Sequence, residues 1–219
     1  MPERCADWPA ESTLILADLH LGKADALAAS DGAPVPEHVA RGVLRDDLAR
    51  LARALERSGA QRVVIVGDLL HAHAGLTAPM IDDVARWRDA HPHEWVLVRG
   101  NHDGKARAVA HAWRLTLAGE RWDHAGLTFE HIPPAEPVGG FVVSGHEHPA
   151  VAFTRAGQTI KLPAFVVGPT RLILPAFSRF TGGVARACRP DDRLFACAPG
   201  EVFEAPNPWA RGRAGTMRA

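Results

Sequence analysis

The chain has 219 residues, 47% of them apolar and 23% charged, a composition that fits a globular protein able to bury a real core. Lysine plus arginine equals aspartate plus glutamate at 25 each, so net charge gives no argument for a nucleic-acid or membrane partner. No run approaches the roughly 18 apolar residues of a membrane span, and the opening MPERCADWPAEST lacks a secretory apolar stretch; a cytoplasmic protein is expected. In chain order, the first predicted strand is TLILA (13–17), followed by DLH. The next long pattern places Leu44, Leu48, Leu51 and Leu55 at helical spacing, which predicts an amphipathic helix with Pro36 near its start and Gly59 at its end.

Further strands are predicted at RVVIV before GDLLH, WVLVR before GNHD, LTFEH before PPAEP and FVVS before GHEH. These runs are short and rich in β-branched residues or leucine, as strands buried on both faces are. A second helix is expected from Ala78 to Ala90 and a short one from Gly104 to Ala112. Strand and helix alternation argues for a layered α/β fold with a partly parallel sheet. After Pro149 the pattern changes to VAFTR, TIKLP, AFVVG, TRLILPAF, GGVAR and RLFAC, which predicts an antiparallel continuation forming a second sheet packed on the first. Residues 1–205 read as one domain. The remainder, 206–219, carries Arg211, Arg213 and Arg218 without an acid and reads as a solvated basic tail.

Three cysteines, Cys5, Cys188 and Cys197, suit reduced thiols better than a disulfide framework; Cys188 and Cys197 are the one pair considered for oxidation. Histidine is the unusual residue, with 12 in the chain. Ligands of open α/β sheets bind outside the carboxyl ends of the strands. The predicted strand ends would gather Asp18, His20, Asp68, Asn101, His102, His131, His146 and His148 there. A lone Asp after a strand is commonly a turn former and a lone His commonly a core residue, but five strand ends that all finish in such residues argue for one site.

The pair His146 and His148 does not fit the HExxH zinc-protease helix, whose histidines are four apart. In an extended segment, residues two apart share a face, so Asp18 with His20, and His146 with His148, could each point at one site while Glu147 points away. Nitrogen and oxygen donors without thiolate favour manganese, iron or zinc. Seven candidate ligands are too many for one such ion and suit two with a bridging carboxylate. Two metals about 3.5 to 4 Å apart clamp the attacking and leaving oxygens in phosphoryl chemistry, and the residual positive charge suits a phosphate.

At these residues the sequence resembles the calcineurin-like metallophosphoesterases, matched in order by DLH (18–20), GDLLH (67–71), GNHD (100–103), His131 and GHEH (145–148). The resemblance implies two packed mixed β-sheets flanked by helices, a four-layer αββα sandwich. It also implies two divalent transition-metal ions, with manganese first and iron or zinc as alternatives. Asp18, His20, Asp68 and His148 would hold one ion and Asp68, Asn101, His131 and His146 the other. A bridging hydroxide would attack phosphorus in line, His102 would meet the developing charge or protonate the leaving oxygen, and Asp103 would orient His102. Asp103 also reads as a helix N-cap. Lys23 and His71 lie close to motif residues and are candidates for substrate contact.

A narrower resemblance, in DLHLGK, PVP, GDLLHA, GHEHP and LPAFSRFTGG (174–183), is to the bacterial ligase-associated DNA damage response endonucleases. LAASDGAPVP (27–36) is less aromatic than that subgroup leads one to expect. The resemblance implies a DNA phosphodiesterase acting in repair, with DNA and DNA repair proteins as partners. DNA contact would rest on the metals and arginines such as Arg99, Arg171, Arg179 and those of the tail, giving salt-sensitive binding. A phosphoesterase for a small nucleotide or phosphoprotein, and a scaffold without catalysis, are the competing readings. All expected ligands are present, which speaks against the scaffold.

Overall fold

The computed structural model describes residues 1–28, 36–72, 75–136, 139–184 and 188–210. A first sheet of five strands runs in the order β1 (Ala6–Trp8), β2 (Thr13–Leu16), β3 (Arg62–Val66), β4 (Glu94–Val98), β5 (Leu115–Leu117). β2 to β5 pair in parallel and β1 closes the edge antiparallel to β2. A second sheet holds β6 (Arg121–His124), β7 (Leu127–Glu130), β8 (Phe141–Ser144), β10 (Gln158–Gly168), β11 (Arg171–Ile173), β12 (Arg193–Ala198) and β13 (Glu201–Ala205). Its order is β13-β12-β10-β11-β8-β7-β6, with β9 (Ala150–Arg155) pairing β10. Both sheets are mixed, since β11, β8 and β7 run parallel to one another within an otherwise antiparallel array.

Strand alternation sorts the core into layers. Leu14, Leu16, Val63, Ile65, Trp95 and Leu97 face one way, where they meet Leu44, Leu48, Leu51 and Leu55 of helix α2 (Glu37–Ser58). The same cluster takes Met80 and Val84 from α3 (Ala78–Ala90) and Val109 and Trp113 from α4 (Ala106–Trp113). The alternate residues Ile15, Ala17, Val64, Val66, Val96 and Val98 face the second sheet through Phe129, Val143, Phe165 and Leu174. Period-two alternation with both faces apolar is what made these runs look uniformly hydrophobic. Two mixed sheets flanked by helices are therefore present as expected.

The predicted helices stand, with small differences. α2 ends at Gly59, whose N–H bonds to Leu55 O at a left-handed φ of 65°, the C-terminal conformation glycine favours. The short helix starts later than expected: Asp103–Lys105 forms a 3-10 turn before α4 begins. The second sheet also begins earlier than the sequence suggests, at β6 rather than after Pro149, because the β6–β7 hairpin sends the chain across to it. TIKLP and AFVVG are one long strand, β10.

All three cysteines are free thiols. Asn207 bonds through Nδ2 to the carbonyls of Arg189 and Asp192, so the first residues of the expected tail are anchored to the loop before β12. Residues 211–219, with the tail arginines, lie outside the described residues. So do residues 29–35, most of the LAASDGAPVP stretch. Among the described residues no helix is long and apolar enough to cross a membrane.

Candidate metal centre

The site is assembled at the carboxyl ends of β2, β3, β4, β7 and β8, each of which ends in a polar turn. The DLH and GDLLH turns continue side by side after their strands end: Asp18 N bonds to Gly67 O, His20 N to Asp68 O and Leu21 N to Leu69 O, at 3.1, 2.9 and 2.8 Å. From the other side, Phe177 N bonds to Ala17 O and Ser178 N to Asp18 O, so the late PAFS segment clamps the turn that bears Asp18. Glycine is required where these turns cross. A Cβ at Gly67 would overlap the His131 ring, and one at Gly100 would overlap the carboxylate and backbone nitrogen of Asp68.

The histidine pairs reach the site differently from the extended arrangement expected. Asp18, His20, Asp68, His146 and His148 all sit at positive φ, between 45 and 68°. Of ten described non-glycine residues with positive φ, these are five, so the strain of a left-handed backbone, of order 1 kcal/mol or more each, is concentrated here. The turns between paired residues then send His146 and His148 into different groups.

Two groups result. Asp18, His20 and His148 bring ligand atoms within 4.8 Å of one another, as do Asp68, His131 and His146. In the first, Nε2 of His20 and Nε2 of His148 face each other at 3.4 Å, with Asp18 Oδ1 3.1 Å from His148. Asp68 Oδ2 joins both groups, 3.2 Å from His131 Nε2 and 4.0 Å from His20 Nε2. Asp18 Oδ1 and His20 Nδ1 are buried without a hydrogen-bond partner, a costly arrangement in a closed protein interior. Two facing imidazole nitrogens and a buried carboxylate oxygen without a hydrogen bond fit a divalent cation held by nitrogen and oxygen donors.

Protonation at His20 agrees with that fit. Burial pushes the His20 imidazole down to about 4, leaving it neutral, as a metal ligand must be. His131 donates its Nδ1 proton to Val66 O at 2.9 Å, which aims Nε2 at Asp68. Burial alone would lower His131, but its hydrogen bond and charge contact with Asp68 outweigh this and raise it. The same contact outweighs burial at Asp68 and holds that carboxyl below its usual range. With two cations present, the imidazole proton would give way to the metal.

Around these groups the secondary residues take their places. Asp18 Oδ2 accepts from His146 N and Asp68 Oδ1 from His102 N, both at 3.0 Å. The His102 side chain is 41% exposed, with Nε2 3.9 Å from Asp68 Oδ2. Its Nδ1 donates to the His71 carbonyl at 2.7 Å, and the two rings stack 5.5 Å apart. Asp103 therefore does not orient that ring. Its carboxylate accepts from Leu70 N and Gly100 N instead, tying the GNHD turn to the GDLL turn, and it caps no helix through its side chain. Asn101 is exposed at the head of the β4 turn and lines one cleft with His131. Lys23 opens α1 (Lys23–Ala28), with its N–H bonded to His20 O. Burial, then the nearby Lys23 charge, lowers His71. Glu147 is half-buried and raised by burial; it belongs to neither group.

A buried network behind the first group carries no motif in the sequence. Asp47 and Arg50, on the inner side of α2, pair at 2.9 Å, and Asp47 accepts from Ser178 Oγ at 3.1 Å. Arg50 also donates to Phe177 O and lies over the Phe177 ring. The available signal was positional, since 47 and 50 interleave with the apolar positions 44, 48 and 51.

The sequence profile of the calcineurin-like phosphoesterases matches residues 12–162, a span that contains every residue of the two groups. The chain belongs to this family. It is a metal-dependent phosphoesterase; the family implies a pair of divalent ions, and the two Asp/His groups are residues that could hold them. No curated protein matched the sequence. Among solved structures, the nuclease MPE of Pseudomonas putida is 31% identical, with 94% of this chain and 93% of that one covered at a TM-score of 0.76. YfcE, a phosphoesterase from E. coli, is 16% identical, covering 88% and 97%, with a TM-score of 0.46.

Proposed function

We propose that this phosphoesterase is a dinuclear-metal phosphodiesterase that cuts DNA, serving DNA repair in the cytoplasm, with manganese as its metal and residues 1–205 as its catalytic domain. The observation that carries the reading is the likeness to a nuclease along almost the whole chain, joined to two Asp/His groups that share Asp68. His102 and His146 are exposed rather than enclosed, an open arrangement that suits a polymer better than a small substrate.

Asp18, His20, Asp68 and His148 would hold one ion, and Asp68, Asn101, His131 and His146 the other. Bound divalent ions supply a nucleophile at neutral pH and neutralise phosphate charge. The chain supplies the rest. Through its Nδ1–H bond to His71, the exposed His102 presents Nε2 to the phosphate, where it stabilises charge or protonates the departing sugar oxygen. Lys23 and His71 flank the first group and would contact the phosphate chain. Two arginines offered by the sequence for DNA contact are otherwise engaged, Arg171 with Asp192 and Arg99 with Glu120, so affinity would rest chiefly on the site itself.

The test incubates metal-free protein with manganese and compares circular single-stranded DNA, duplex DNA, a generic phosphodiester and a phosphomonoester, with His102→Ala alongside. DNA cleavage that requires His102 supports the reading. Monoester turnover with intact DNA would overturn it.

A further inference from the structure

The second group opens into a cleft of about 310 Å3, near the lower end of the roughly 300–1,000 Å3 range of small-molecule sites. Its position follows from strand register. Arg121 of β6 pairs with Glu130 of β7, so Glu120 stands opposite His131 one residue further on. Arg99, at the end of β4, donates its N–H to Gly119 O and completes the wall. The cleft is thus built where the ends of both sheets meet, on the short turns that adjoin β4, β6 and β7.

Its lining is unlike a track for a phosphate backbone. Glu120 and Glu130 present carboxylates, each paired with an arginine, so the wall carries no net positive charge to hold a polyanion. Arg99 is held in an ion pair with Glu120, and Arg121 holds Glu130 at 2.9 Å. Beside His131 stands Ile132, a large apolar side chain left 55% exposed. An uncharged planar group bearing N–H donors satisfies all of these features. It would rest on Ile132 and the Arg99 guanidinium and give its donors to a glutamate, as the cytosine amine does to acidic side chains.

We propose that this cleft is a nucleobase subsite: one base next to the cleaved phosphate enters it unpaired, with Glu120 accepting from its amino group and Ile132 against its face. The proposal rests on the nuclease reading. Because a base reads into such a pocket only through an edge that is free of its partner strand, the subsite implies preference for single-stranded DNA. It also implies preference for bases with an exocyclic amine over thymine.

The test uses manganese-loaded full-length protein and two short single-stranded oligonucleotides of one length, oligo(dC) and oligo(dT), with a generic small phosphodiester as a third substrate. The expected kcat/KM ratio of dC to dT is about tenfold, the scale of one hydrogen bond to a charged group. Glu120→Gln should bring that ratio close to one, because an amide can also donate to the thymine carbonyl. Ile132→Ser should raise KM for both oligonucleotides together. Equal rates on the two oligonucleotides in the wild type, or a preference unchanged in Glu120→Gln, overturn the subsite while leaving the nuclease reading intact. Turnover of the small diester with neither oligonucleotide cut overturns both.

Discussion

The carbonyl of His71 lies 2.7 Å from Nδ1 of His102, and because a carbonyl can only accept, it fixes which ring nitrogen faces the metal groups. The relationship joins two motifs from neighbouring strands, GDLLH and GNHD, through a backbone atom. His102→Ala should therefore lower kcat by about 10² to 10⁴ while both ions still bind, as calorimetry with manganese would record. His71→Ala keeps the carbonyl and should cost far less. Equal losses in the two variants would show that the His71 ring itself acts in the reaction.

Asp68 makes a second asymmetry testable. Its Oδ2 faces His131 in one group and His20 in the other, whereas Asp18 belongs to one group alone. Asp68→Ala is expected to abolish activity and weaken both ions, and Asp18→Ala to weaken chiefly one. Bound metal per chain, measured by elemental analysis after dialysis against manganese, separates these outcomes. In the wild type, manganese at about 100 times its Kd should stabilise the fold by about 2.7 kcal/mol for each ion bound, seen as a higher Tm. A fully active Asp68→Ala protein would sink the paired-ion arrangement.

Much of this centre was legible because strand ends carry their ligands in sequence order. TLIL, RVVIV and EWVLV are apolar after their first residue, as a strand packed on both faces must be. The residues that follow each run then fall at one edge of the fold by topology alone. What could not be read was conformation within the turns. Alternation predicts that His146 and His148 share a face, yet left-handed φ at both sends them apart. That choice is enforced by tertiary contacts, such as His146 N on the Asp18 carboxylate. The role of Asp103 was hidden for the same reason, since its partners Leu70 and Gly100 are local in space but only one is local in sequence. Strand β6 was missed because Arg121–His124 is polar and barely buried, so no hydrophobic period announces it.

Two glycines of the GNHDG stretch should respond in opposite ways to the same substitution. At Gly100 a methyl group would collide with the Asp68 carboxylate and backbone nitrogen, while at Gly104 nothing lies within 4 Å. Gly100→Ala is expected to cost about 2 kcal/mol or more, in the range of core overpacking, and to impair manganese binding through Asp68. Gly104→Ala should be neutral or stabilising by up to about 1 kcal/mol, because alanine reduces the freedom of the unfolded chain. Urea unfolding of both variants gives the comparison, and similar costs would contradict the close approach of Gly100 to Asp68.

The Asp47–Arg50 pair behind the first group has two separable consequences. It is buried on both sides and holds Ser178 and Phe177, whose N–H groups clamp Asp18 and Ala17. Asp47→Ala leaves Arg50 without its counter-charge and should cost about 3 to 5 kcal/mol of stability. Replacing both members, Asp47→Asn with Arg50→Met, removes the uncompensated charge and should recover most of that loss. Recovery of stability need not restore the clamp, because Phe177 O would still lose the Arg50 donor that positions its segment, even though an asparagine oxygen can still accept from Ser178 Oγ. The double variant is therefore expected to unfold near the wild-type urea midpoint while binding manganese more weakly at the Asp18 group. Normal metal affinity in that variant would show that the network serves the fold alone.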